Sequence, residues 1–244
     1  MKIIAIFNVK GGVGKTATSV NLAYCASLDK NKVLLADLDP QGASSFYFNF
    51  EPNNKKSRGT KSVTDSVVDS GYPNLDLLPA DSDYRRIDFL IKELKGKSKW
   101  LSSFLRPVAK KYDYIFLDCP PNLSLFSENV LKNADIIVVP VVPTTLSVRT
   151  YDQLVEFCKE HDIDKKKLVP FFSMYERRKN LHNETIEEFA SKNRNSVDVA
   201  IPYISEIERM GVYKAPYVSI HPGSEISYLY KQLWKAVKRK AGNS

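Results

Sequence analysis

Short apolar runs, rich in β-branched and aromatic residues, punctuate the chain at residues 3–7, 33–38, 75–78, 114–117, 136–142, 168–172 and 197–201. They lack the strict apolar–polar alternation of a strand with one wet face, so each predicts a strand covered on both sides. Between them the spacing of apolar positions predicts helices over 15–29, 81–95, 123–132, 150–161, 184–192 and 225–240. Strand and helical patterns alternating from end to end predict an α/β fold, a mostly parallel twisted sheet with helices on both faces. Residues 52–61 are polar, basic and contain Gly59, which predicts a loop inside one domain spanning 1–244.

Composition narrows this picture only a little. With 43% hydrophobic and 26% charged residues in 244, the chain suits one compact domain and excludes a disordered or fibrous class. The formal net charge of +8 favours anionic partners, meaning nucleic acid or an acidic membrane surface. Cys25, Cys119 and Cys158 are widely spaced, with no CxxC pair or histidine cluster, so the expectation is a reducing cytosol, with neither a disulfide framework nor a zinc site. No apolar run approaches the ~20 residues that span a bilayer, and the first strand runs straight into a glycine loop with no signal-peptide core.

That loop carries the chemistry. Lys10-Gly11-Gly12-Val13-Gly14-Lys15-Thr16 lies between a predicted strand and a predicted helix, where backbone N–H groups and the positive end of the helix converge on a phosphate. In such a turn Lys15 would contact the β- and γ-phosphates and the Thr16 hydroxyl would bind Mg²⁺. The common pattern G-x-x-x-x-G-K-[ST] is not met, because Val9 stands at its first glycine, and a second lysine, Lys10, precedes the double glycine. A second cluster, Asp37-Leu38-Asp39-Pro40-Gln41-Gly42, places alternate carboxylates at a strand's C-terminal end, on the ligand side of an open α/β sheet. Asp, Pro and Gly are also ordinary turn residues, so this cluster read alone stays open. A third strand ends in Asp118-Cys119-Pro120-Pro121, as a Walker B aspartate does when it faces Mg²⁺.

These segments resemble the ParA-type partition ATPases of the ParA/MinD superfamily, P-loop NTPases with a deviant Walker A motif. The resemblance rests on Asn8 with Lys10 to Thr16, on Asp37 to Gly42, on Asp118 to Pro121 and on Val138 to Pro143. Met174-Tyr175 followed by Leu181, then Ala200-Ile201-Pro202 and His221-Pro222-Gly223-Ser224, extend it over essentially the whole chain. Three positions depart from the family pattern: Val9 for the usual Gln, Tyr203 where Arg often follows Ile-Pro, and Thr144-Thr145 after Pro143. The last two lie in regions that shape the nucleotide site or a switch surface.

The resemblance implies ATP and Mg²⁺ as cofactors and a slow ATPase, stimulated by a ParB-like adaptor, that works as an ATP-dependent homodimer. It implies that Lys10 of one subunit reaches phosphates held by the other, as an arginine finger does. Catalytic roles would fall to Lys10, Lys15 and Asp39, the last positioning the attacking water. Nucleotide contacts would come from Gly11, Gly12, Val13, Gly14, Lys15, Thr16, Ala17 and Pro202. The metal would be served by Thr16, by Asp118 through its water shell, and by Asp37 behind it.

On the last predicted helix, Lys231, Lys235, Lys238 and Arg239 share one face while Leu229, Leu233, Trp234 and Val237 gather on the other. That is the pattern of a terminal helix docked by its apolar side, and its basic face is a candidate contact for nonspecific double-stranded DNA. Lys165-Lys166-Lys167 and Arg177-Arg178-Lys179 extend the patch or are solvated loops. A MinD-like membrane regulator would need a terminal amphipathic segment. The helix that finishes the domain is followed almost at once by Ala241-Gly242-Asn243-Ser244, so the expectation is nucleoid association without stable membrane association. A metabolic enzyme or iron–sulfur reductase on the same fold is a third reading, with only Cys119 beside a motif. No separate helix-turn-helix domain is expected before the first strand. The cargo, whether plasmid, chromosome origin or protein assembly, has no readable motif.

Overall fold

A computed structural model describes residues 1–50, 63–81, 91 and 99–242. Strand β1 (Lys2–Ile6) leads to helix α1 (Lys15–Leu28), then β2 (Val33–Asp37), the short α2 (Ala43–Tyr47) and α3 (Val63–Ser66). A pair of strands, β3 (Val68–Tyr72) and β4 (Leu75–Leu78), precedes α4 (Trp100–Leu105), β5 (Tyr114–Asp118), α5 (Leu125–Asn133), β6 (Ile136–Val141) and α6 (Thr145–Glu160). The rest is β7 (Leu168–Tyr175), α7 (Asn180–Lys192), β8 (Ala200–Pro202), the short α8 (Ser205–Glu208), α9 (Met210–Tyr213) and α10 (Tyr217–Ile220), and α11 (Glu225–Gly242).

The strands form one sheet in the order β3-β4-β2-β5-β1-β6-β7-β8. Every neighbouring pair is parallel except β3 with β4. Strand alternation divides the core in two. Ile3, Ala5 and Phe7 join the residues of α4, α5, α6 and α7 on one face. Ile4 and Ile6 join α1, α10 and α11 on the other. This two-sided cover explains why all six residues of β6 are buried, and it matches the continuous apolar runs of the sequence.

Pro140 inside the central strand β6 has a specific reason. Phe7 N–H donates to Val138 O at 3.0 Å, and β1 then leaves the sheet for the glycine loop. Pro140 therefore needs no N–H on that side, and its carbonyl accepts from Asn8 Nδ2 at 2.7 Å. The departure point of the loop is thus tied by a side chain to the neighbouring strand.

Several boundaries differ from the expected ones. Helix α6 begins at Thr145 rather than 150 and α7 at Asn180 rather than 184; Thr144 caps the first of them. The expected strand over 197–201 is only Ala200–Pro202: Val197 and Val199 are buried, but the backbone turns, with Val199 N–H bonded to Val197 O. Strand β3 is not expected from the sequence, since Val68-Asp69-Ser70-Gly71-Tyr72 is an edge strand with only one buried residue. The expected loop at 52–61 and most of the expected helix over 81–95 lie outside the described residues.

Asn21 ties α1 to the segment after β8. It is fully buried, its Nδ2 donates to Ala17 O (2.8 Å) and reaches Met210 Sδ (3.4 Å), and its Oδ1 accepts from Val218 N–H (3.0 Å). Replacing it with Ala leaves the Val218 N–H without an acceptor in a dry site. Asn21→Ala is expected to lower stability by about 1–3 kcal/mol, read from urea unfolding followed by circular dichroism.

Candidate functional site

The glycine loop sits at the C-terminal end of β1, between the ends of β5 and β6, where an open parallel sheet forms its ligand crevice. Gly12 (φ 69°) and Gly14 (φ 82°) are left-handed, a conformation costly for residues with a Cβ. Gly14 is also the N-cap of α1, so the loop delivers the helix's unpaired N–H groups toward the cradle. A Cβ built on Gly11, Gly12 or Gly14 meets nothing within 4 Å, which leaves open space above the backbone for a phosphate. Val13 points into the protein, and its carbonyl accepts from Ser173 Oγ of β7 at 2.8 Å.

The two lysines differ in what they touch. Lys15 is buried and folds back to donate from Nζ to Lys10 O at 3.1 Å. Burial lowers its pKa, and the carboxylate of Asp118 pulls the other way. Lys10 is half-buried and points away from the loop, its Nζ donating to Ser147 Oγ on α6 at 3.1 Å.

Asp37 and Asp118 are paired residues at the ends of adjacent strands, and both are buried. Asp118 receives the hydroxyls of Ser19 (3.0 Å) and Ser44 (2.5 Å), and the Thr16 hydroxyl also bonds to it. Asp37 Oδ2 takes both the N–H and the hydroxyl of Ser45 at 2.7 Å. Burial and the neighbouring carboxylate push Asp37 up to about 7, and burial raises Asp118 as well. A cation beside them would favour the charged forms of both. Asp39 is half-buried at the mouth, held by Gln41 N–H to its Oδ1 at 2.9 Å.

The donors are all oxygen, which suits Mg²⁺, an ion that takes one or two carboxylates and keeps water or phosphate for the rest. Among the described residues, no group of three or more His, Cys, Asp or Glu is placed to hold a metal by protein alone. The residues present therefore fit Mg²⁺ arriving with a nucleotide, on the Thr16 and Asp118 side of the loop.

Beside the loop lies a mainly apolar cleft lined by Gly14, Ala17, Pro202, Ile204, Ile207 and Glu208. Ala17 and Pro202 are thus brought together with the phosphate loop. Tyr203, at the departure from the family pattern, also lines the cleft and donates its hydroxyl to Glu208 at 3.1 Å. Ser19, Ser44, Ser45, Ser147 and Ser173 carry no signal of their own in the sequence; only Ser44 and Ser45, directly after the Asp37 to Gly42 turn, have a position that marks them. The basic stripe lies elsewhere, on α11. There Lys235 and Arg239 are exposed, Lys238 pairs with Asp29 (2.9 Å), and Lys231 donates to Pro222 O (3.1 Å).

Fold and site together define a P-loop protein of the α/β class. A family model described as "AAA domain" matches residues 1–169. The chain is 32% identical to the sporulation initiation inhibitor protein Soj of Bacillus subtilis, over 97% of this chain and 98% of Soj. It is 29% identical to the chromosome partitioning protein ParA of Myxococcus xanthus, over 82% and 75% of the two chains. The solved ATP complex of McdA from Cyanothece superposes with a TM-score of 0.81 at 19% identity, covering 99% of this chain and 96% of that one. The chain belongs to the ParA-type partition ATPases, as the phosphate loop and the two acidic strand ends imply.

The hydroxyls around Asp118 generate a test. Removing the shortest of them should leave the carboxylate poorly oriented for a metal. Ser44→Ala is expected to weaken nucleotide affinity in the presence of Mg²⁺ by about tenfold and to change it little in EDTA, as read by titration of a fluorescent ATP analogue under both conditions.

Proposed function

We propose that the protein is an ATP-driven switch: it dimerises around ATP and Mg²⁺, binds DNA nonspecifically as the dimer, and releases it after hydrolysis stimulated by an adaptor. The observation that carries this reading is the divergence of the two lysines on one glycine loop. Lys15 is folded against its own loop, where it would hold the phosphates of the same subunit. Lys10 extends from the same loop toward α6, away from its own cradle, and would act on a nucleotide bound by a second copy. A cation supplied in trans neutralises developing phosphoryl charge only when two loaded subunits meet, so hydrolysis reports on assembly. Asp39 lies at the mouth, held by Gln41 N–H, and in this reading it would orient the attacking water.

Terminal helix α11 favours DNA over membrane. Leu233, Trp234 and Val237 are at most 2% exposed. The Trp234 ring packs edge-on against Tyr114, and its Nε1 donates to Asp29 at 3.0 Å. An amphipathic helix that lies in a bilayer interface needs its apolar face free, and this face is part of the core. No helix among the described residues is long and apolar enough to cross a membrane. The three cysteines are all buried, which argues against a surface cluster bridged between subunits. The Soj and ParA relatives support a partition role, with plasmid, chromosome origin and protein assembly all compatible as cargo.

Separate roles for the loop residues predict separable defects. Lys15→Ala should abolish ATP binding. Lys10→Ala should keep most of it and lose dimer-dependent turnover by roughly a thousandfold, and Asp39→Ala should bind ATP and Mg²⁺ but stall hydrolysis as a dimer. Titration, light scattering and phosphate release distinguish the three; equal loss of affinity in both lysine variants would remove the trans role.

DNA binding should require ATP, ignore sequence and weaken with salt, because dimerisation brings two basic patches onto one duplex. Lys235 and Arg239 are the exposed members of the stripe. Their replacement by Glu should weaken mobility shifts while ATP binding survives, with the log–log salt slope falling by ~0.9 for each phosphate that is no longer neutralised. An unchanged double variant would move the DNA site to the exposed run Arg177-Arg178-Lys179, and binding without nucleotide would exclude the switch.

A further inference from the structure

Lys10 is held in its resting position by contacts that divide cleanly between backbone and side chain. Its N–H donates to Asn8 Oδ1 at 2.9 Å and its carbonyl accepts from Lys15 Nζ at 3.1 Å, so the main chain is fixed at both ends of the residue. Only the side chain is left to swing. Its amine rests on the hydroxyl of Ser147, which is fully buried in the first turn of α6. Ser147 is itself fixed by the capping residue Thr144, whose Oγ1 lies 3.2 Å from Ser147 Oγ and accepts from Ser147 N–H at 3.4 Å. Thr144 is one of the positions at which the sequence departs from the family pattern.

The chemistry of this contact is that of a temporary partner. A hydroxyl oxygen accepts a charge-assisted hydrogen bond from the ammonium, which favours the docked position. The N-terminal end of α6 carries positive dipole charge, which opposes a cation placed there. Among the described residues, no carboxylate forms an ion pair with Lys10. The amine can therefore leave for phosphate oxygens without abandoning a buried negative charge, the outcome that would make a carboxylate dock hard to vacate.

We infer that Ser147, oriented by Thr144, is the resting dock of Lys10: a positioning residue that holds the amine against α6 in the free subunit and gives it up to the partner's phosphates. This rests on the trans role proposed for Lys10 and adds its regulation, since undocking becomes part of the free energy of ATP-dependent dimerisation. Loss of the dock should then make assembly easier.

The dock and the trans role can be read separately. Amine labelling of nucleotide-free protein, followed by mass spectrometry, reports Lys10 reactivity relative to the exposed Lys235. Reactivity is expected to rise several-fold in Ser147→Ala and to return to the wild-type level in Ser147→Thr, which keeps the hydroxyl. Light scattering over a protein dilution series with saturating ATP is expected to show a dimer dissociation constant lowered by roughly five- to tenfold in Ser147→Ala, and the wild-type value in Ser147→Thr. Unchanged Lys10 reactivity in Ser147→Ala would overturn the dock, and raised reactivity with unchanged dimerisation would overturn its regulatory part. If Lys10→Ala instead retains wild-type dimer-dependent turnover, the trans role itself falls, whatever the labelling shows.

Discussion

Burying two carboxylates side by side costs far more than a sheet can absorb unless donors surround them, and Asp37 and Asp118 impose that demand at the ends of β2 and β5. The donors in direct contact are hydroxyls and a backbone N–H, while the Lys15 ammonium acts on Asp118 only through space. Ser19 comes from α1, Ser44 and Ser45 from α2, and their bonds fix where both helices start relative to the sheet. Ser45 Oγ also accepts from Ala80 N–H at 2.8 Å, which extends the same network beyond β4. With neutral donors the acids are oriented but not neutralised, so the site keeps its appetite for a metal ion. A lysine in place of Ser44 would satisfy the acids permanently and leave no reason for a cation to bind.

The same network ties the segment after β2 to the two acids. Helix α2 hangs on Asp37 and Asp118 through two adjacent serines, and its other face meets α9, where Gly211 lies against the rings of Phe46 and Tyr47. Met210 of α9 reaches Asn21 of α1, the helix that begins at the phosphate loop. Phosphate loop, acids, α2 and the cleft beside Pro202 are therefore joined by short-range contacts. A change in charge at the acids has a physical route to the surface carried by Phe46 and Tyr213, which are exposed.

How much of this is legible in the sequence follows from the range of each interaction. The buried strands announce themselves because a sheet covered on both faces leaves continuous apolar runs, and the phosphate loop because its glycines serve a local backbone conformation. Strand β3 is not legible: an edge strand of Asp, Ser and Gly has no pattern distinct from a turn. The serines around the acids are hidden for a different reason. A hydroxyl in a helix is ordinary by composition, and only the fold shows that Ser19 and Ser44 reach the same carboxylate from two different helices. The basic stripe on α11 is correctly spaced, yet its four members are not equivalent, because Asp29 at the end of α1 takes up Lys238.

That pairing links the phosphate cradle to the basic helix α11. Helix α1 is capped by Gly14 at its start and Asp29 at its end, so one rigid element carries the phosphate cradle at one end and a carboxylate on the basic helix at the other. Asp29 accepts from both Trp234 Nε1 and Lys238 Nζ, and these bonds hold its pKa below the usual carboxylate range despite partial burial. Any displacement of α1 on phosphate binding must either drag α11 with it or break these two bonds. The first outcome reorients the exposed Lys235 and Arg239, and the second releases Lys238 to the same face. Both routes couple the cradle to the positive charge that α11 presents to solvent. They need no mobile domain, because the link is a single helix of 14 residues with a polar contact at each end.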